Sequence, residues 1–186
     1  HWVPACMLMV DPVSKEQIPH EMYQELTASV KAIFAQVHPN REAAELTVLP
    51  YGTDKAKKLR YFSSYIGTNE SLAGRARFVV SKFDRKKWYG EVVAIRDVLF
   101  EYSSFSKKNV ANIADKKLQS RLMLNVKWFA DKTDVVGDVF DINSHDERPG
   151  EAWIPVSRIC GTFVPHYYKN DHTLFKPCFI PLKVHL

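Results

Sequence analysis

Between residues 19 and 38 the apolar positions recur at steps of three and four. Tyr23, Leu26, Val30, Ile33, Phe34 and Val37 form one stripe, with Glu21, Gln24, Glu25 and Lys31 between them. That period is helical. Pro19 suits the opening of a helix, and Pro39 stands where one cannot continue. The spacing therefore predicts an amphipathic helix over 19–38, whose stripe has to pack onto the rest of the chain. Residues 1–18 show no such period and are broken by Pro4 and Pro12, which predicts an irregular or extended lead-in.

From about residue 45 short β-branched and aromatic segments alternate with charged or Gly/Asn/Asp-containing breaks. Strands are predicted at 46–49, 60–65, 76–83, 88–102, 121–129, 153–157, 161–164 and 178–183. The period of two is clearest where Leu122, Leu124, Val126 and Trp128 share one face. Many short strands with turn signals between them predict a mainly β fold, a small barrel or sandwich with an N-terminal helical extension. The expected division is an extension over 1–45 and a β domain over 46–186. Two connections are long and polar. Residues 103–120 have room for one short helix around Val110 to Leu118. Residues 130–152 carry Asp131, Asp134, Asp138, Asp141, Asp146, Glu147 and Glu151 and read as a loop.

Composition changes this picture little. The chain has 186 residues, 46% hydrophobic and 25% charged, enough to bury a core without staples. Cys6, Cys160 and Cys178 cannot form a closed disulfide set, so free thiols are expected. No apolar run approaches the ~20 residues of a membrane span, and no membrane partner is expected. The chain opens on His1 rather than a methionine, as a piece of a longer protein would. The net charge of +5 and pI near 9.0 are compatible with an anionic partner.

Four segments in the second half follow one another in a telling order. Tyr89-Gly90-Glu91-Val92-Val93-Ala94-Ile95 begins a strand on an aromatic, and Leu124-Asn125-Val126-Lys127-Trp128-Phe129 ends one on an aromatic pair. Asp138-Val139-Phe140 with Ser144-His145-Asp146 comes next, and then Pro155, Ile159 and Gly161 within WIPVSRICGTFVP. This order, over roughly residues 76–183, resembles the bromo-adjacent homology module. The same run is similar to the β-rich tail that follows the catalytic part of certain proteins encoded by DNA transposons.

The resemblance implies a nuclear, non-catalytic interaction module that binds a chromatin protein or a histone tail, with no cofactor and no small-molecule substrate. Some members of the family hold methyl-lysine in an aromatic cage, where each well-placed ring contributes about 0.5–2 kcal/mol of cation–π attraction. Here Tyr89 and Trp128 match two cage positions. Ala130 stands at the third and brings no ring, which leaves Trp88, Tyr102 or Trp153 to compensate. His145 and Asp146 stand where the family places polar residues beside the cation.

The residues also support other readings. Lys57, Lys58 and Arg60 cluster beside Tyr61 and Phe62, and Arg85, Lys86 and Lys87 lie beside Phe83, Trp88 and Tyr89. Lysines neutralise phosphates and rings stack on bases, so DNA is the alternative partner. Cys160, His166, His172 and Cys178 are zinc-competent types, but their even spacing lacks the close pairs of structural zinc sites. No phosphate-binding glycine loop, G-x-S-x-G or H-E-x-x-H occurs. Glu91 and Asp97 are the strand carboxylates a metal-dependent nuclease would have to use.

Overall fold

The computed structural model describes residues 7–13, 19–37, 39, 46–48, 54–61, 64–68, 77–83, 85–104, 115–132, 137–146 and 152–182. The elements run β1 (Met7–Val13), α1 (His20–Val37), β2 (Leu46–Val48), β3 (Asp54–Tyr61), β4 (Ser64–Gly67), β5 (Phe78–Phe83) and β6 (Lys86–Ser104). β7 (Asp115–Asp131), β8 (Phe140–Asp146), β9 (Trp153–Pro155), a 3₁₀ turn (Val156–Arg158), β10 (Ile159–Tyr168) and β11 (Asp171–Pro181) follow. The fold is mainly β with one N-terminal helix, as the pattern predicts.

Six of the strands close a ring, in the order β6, β5, β10, β11, β8, β7 and back to β6. All these pairings are antiparallel. Each strand of the ring sends an apolar side chain inward: Phe78 and Val80 from β5, Tyr89 from β6, Phe129 from β7, Phe140 from β8, Phe163 from β10 and Phe175 from β11. Phe163 and Phe175 stack with centroids 5.8 Å apart and planes at 10°. A small ring has room only for side chains, and here they are mostly aromatic.

A bulge in β6 organises the rest. Val92 faces Val126 and Ala94 faces Asn125, so Val93 is the extra residue. An added residue bends a strand and shifts which positions share a face. Before the bulge β6 pairs with β5, and beyond it with β3 and β2. One face of the long β6–β7 ribbon buries Val92, Ile95, Leu122, Leu124, Val126 and Trp128 together with Leu59, Tyr61 and Ile66 of β3 and β4. The other face closes the ring at one end. At the other end it meets α1, whose Leu26, Val30 and Phe34 pack with Ala94, Val98, Phe100, Met123 and Trp153.

The helix spans nearly the predicted residues, and its stripe is the buried face. Both β1 and α1 pack on the sheet, β1 by pairing with β3 along Met7–Val13 and α1 against β6, β7 and β9. Full burial of a Leu, Val or Phe is worth about 1.5–3 kcal/mol each. A chain beginning at residue 46 is therefore expected to aggregate or elute as large species in size-exclusion chromatography. A monomeric 46–186 fragment with a cooperative melt would show the helix to be dispensable.

Two sequence expectations change, while the lead-in, expected to be irregular or extended, is extended over β1. The acidic stretch contains β8, of which Phe140 is buried and the remaining positions are partly or fully exposed, so its sequence carries no strand-like alternation. The short helix around Val110 to Leu118 is not formed at its end, where Asp115 to Leu118 begin β7, and its earlier part lies outside the described residues.

Candidate functional site

Strand register gathers the proposed cage positions. Gly90 pairs with Trp128, Trp128 with Asp146, and Phe129 with His145. Side-chain direction then separates them. Successive residues of a strand point to opposite faces, so Tyr89 faces away from Gly90 and its partner Trp128. Tyr89 is 5% exposed inside the ring, 5.1 Å from the Phe140 centroid and 5.3 Å edge-on to Phe163. Trp128 is 1% exposed on the other face, edge-on to Phe83 at 5.5 Å. The cage expectation is corrected here: the two rings lie on opposite sides of one sheet, each filled in by core, and together they offer no open face to a cation.

Gly90 explains why Trp128 fits. A Cβ at this position would lie 2.8 Å from Cε3 of the indole. The compensating rings do not rebuild a cage. Trp153 is buried under α1, Trp88 is half-buried against the core of β3, β6 and β7, and the Tyr102 side chain lies outside the described residues. Ala130 is half-buried. His145 and Asp146 are exposed on β8, and the His145 ring sits 5.1 Å from that of Phe129. Partial burial, then the charge of Lys127, holds the His145 pKa below the ordinary 6.5. Its proton resonances are expected to titrate below pH 6.5 in an NMR pH series. A midpoint at or above 6.5 would contradict the local charge balance.

The basic residues, by contrast, are displayed. Lys82 pairs with Lys87 and Phe83 with Lys86 across the β5–β6 hairpin. Arg85 occupies the turn in the left-handed region, at φ 65°. Lys82, Arg85, Lys86 and Lys87 are all exposed. The Lys87 ammonium lies 4.1 Å from the centroid of the Phe179 ring, and that of Lys86 lies 5.2 Å from Trp88 and 3.3 Å from the Asp131 carboxylate.

Sequence reasoning missed a fifth cation. Arg158 is exposed in the 3₁₀ turn, 5.8 Å from the ring of Phe83. Its carbonyl accepts the hydroxyl of buried Ser81 at 2.8 Å, and its guanidinium donates to Gln36 of α1 at 2.7 Å. That hydroxyl bond ties the turn to the hairpin. The one available signal was a lone arginine interrupting an apolar run.

Lys58 and Arg60 belong to a different surface. They alternate with core residues Leu59 and Tyr61 on β3, so they face outward, and Lys58 lies 5.6 Å from the exposed ring of Tyr65. Lys57 lies on the same strand, with its side chain outside the described residues. The two basic clusters thus stand on separate elements.

The remaining candidates are dispersed. Cys160 is half-buried, with its thiol donating to the Val80 carbonyl at 3.4 Å, and burial pushes its pKa up. Cys178, His166 and His172 are exposed. Among the described residues no three His, Cys, Asp or Glu side chains converge on a metal-sized point. The bulge puts Glu91 and Asp97 on opposite faces, and Glu91 is ion-paired with Arg77 at 3.3 Å. Among the described residues no helix is long and apolar enough to cross a membrane. Comparison of the chain with protein-family models, curated proteins and solved structures finds no match in any of the three.

Proposed function

We propose that this chain is a binding module whose partner is the phosphate backbone of a nucleic acid, engaged by the tip of the β5–β6 hairpin. The observation that carries the reading is the display of Lys82, Arg85, Lys86, Lys87 and Arg158 around one hairpin tip and the turn tied to it, Lys82 and Lys87 on the face of Phe179, Lys86 and Arg158 on the face of Trp88 and Phe83. Ammonium and guanidinium groups exposed at a turn can meet phosphates without any rearrangement of the core. A methyl-lysine cage at Tyr89 and Trp128 would need both sides of the sheet opened. The nuclear, chromatin-associated setting implied by the bromo-adjacent homology resemblance belongs to this proposal, with DNA as the partner.

Binding to a labelled DNA duplex should weaken steeply with salt. Each neutralised phosphate contributes about 0.9 to the slope of log K against log salt, so four hairpin cations give a slope of roughly −3.6. Lys86→Gln with Lys87→Gln should flatten that slope by about 2 and, because the Lys86–Asp131 pair is at the surface, lower the thermal midpoint only slightly. Salt-independent binding, or affinity untouched by the double variant, would sink the reading. Peptide binding that persists at high salt and depends on one methyl mark would favour a histone tail instead.

A further inference from the structure

The outward face of the last hairpin carries exposed apolar and aromatic side chains among its polar ones. Thr162, Val164 and His166 of β10 pair with Ile180, Cys178 and Lys176 of β11, alternating with the ring-facing Phe163, Phe175 and Phe179. Val164 is 44% and Ile180 46% exposed, and at the far end His166 and Tyr168 are exposed, Tyr168 by 37%, whereas Tyr167 pairs with ring-facing Phe175 and sets its ring 6.0 Å from it. Packing against the phenylalanines of the ring accounts for Tyr167 but not for Tyr168, which lies on the outward face beside Lys176.

Charge and position narrow what could lie there. Lys176 stands 5.9 Å from the Tyr168 ring, and Lys169 is exposed in the adjoining turn. Asp171 is the one acid between Ile159 and Leu182. Its carboxylate is already engaged by the Thr173 hydroxyl at 2.6 Å and the Thr173 amide at 2.8 Å. The strip also leads away from the basic hairpin, because β10 runs beside β5, with Ile159 opposite Ser81 and Thr162 opposite Val79. From Thr162 to Tyr168 a strand covers roughly 20 Å at about 3.3 Å per residue.

We infer that the outward face of β10–β11 is a stacking platform for an unpaired segment of nucleic acid whose backbone is held by the β5–β6 hairpin. The inference rests on the nucleic-acid reading above and specifies its ligand as single-stranded. A duplex keeps its base faces stacked internally, whereas a single strand presents them to exposed rings. The lysines beside Tyr168 neutralise the phosphates of the bases stacked there.

The test compares a labelled oligothymidylate with a blunt duplex of equal length by fluorescence anisotropy. The expected result is tighter binding of the single strand. Tyr168→Ala should lower that affinity by about tenfold, within the range of about 5- to 150-fold for loss of one base–aromatic stack. Duplex affinity and the thermal midpoint should stay unchanged, because the ring is at the surface, and Tyr168→Phe should restore single-strand binding. Equal affinity for both oligonucleotides, or a Tyr168→Ala variant that binds oligothymidylate like the parent, overturns the platform while duplex binding through Lys86 and Lys87 survives. Absence of binding to either oligonucleotide overturns both readings. A dimer in sedimentation that Val164→Glu dissociates would assign the strip to a second copy of the chain, and the inference would fall.

Discussion

Trp128→Ala is expected to cost about 3–5 kcal/mol of folding stability. That is a large share of the roughly 5–15 kcal/mol by which a domain is stable, so the variant should unfold at far lower urea and report partial unfolding even in buffer. The indole is 1% exposed, set edge-on against Phe83 and packed with Val126, Leu124, Val92 and Ile154. Its removal leaves a cavity walled by hydrogen-bonded strands, which cannot close over it freely. Trp128→Phe should recover much of the loss, since it returns an aromatic of smaller volume. Urea titrations followed by far-ultraviolet circular dichroism decide the matter. A Trp128→Ala variant with an unchanged midpoint but lost affinity for methylated peptides would mean that the ring is accessible in solution, and the cage would return.

The second large effect is expected at Gly90, one position from Tyr89 and directly opposite Trp128. A Cβ at Gly90 would stand 2.5 Å from Cγ1 of Val126, 2.8 Å from Cε3 of Trp128 and 2.9 Å from the carbonyl oxygen of Lys127. The carbonyl is part of the β6–β7 ladder and cannot swing aside. Forcing extra atoms into a packed core costs typically about 1–3 kcal/mol, so Gly90→Ala should fall in that range and Gly90→Val above it. Because the obstacle is partly the indole, the two sites should couple. Gly90→Ala should cost less in a Trp128→Leu background than in the parent, a shortfall that a double-mutant cycle measures. Strict additivity would show that the backbone contact alone sets the cost.

These two residues also explain what the resemblance could and could not carry. The tyrosine-first strand, the tryptophan–phenylalanine pair and the His145-Asp146 segment do come together in register, as a shared site would require. Their nearness along the ladder is a property of the pairing. Whether rings open to solvent is a property of the two faces, and both faces of this ribbon are covered, one by β3 and β4, the other by the ring and α1. The alternation of Leu122, Leu124, Val126 and Trp128 already put the tryptophan on an apolar face. Read strictly, that pattern implied a core residue.

By itself the sequence determined the features whose causes are local. The 3.6-residue period between two prolines specified α1 and its buried face. The period of two specified β7, β-branched and aromatic content specified β6, and Arg85, Lys86 and Lys87 marked a basic break before it. Only the tertiary structure decided the rest. β8 buries little but Phe140, so it has no alternation to read and exists because it closes the ring between β7 and β11. Arg158 joins the basic cluster through a hydrogen bond from Ser81, 77 residues away in the chain. The bulge at Val93 decides which side of the sheet Glu91 and Asp97 take, and closure of the ring sends Tyr89 inward. Periodicity records how a residue relates to its neighbours along the chain. Register, bulges and closure relate it to residues far away in sequence, and such pairings are fixed only when the strands meet.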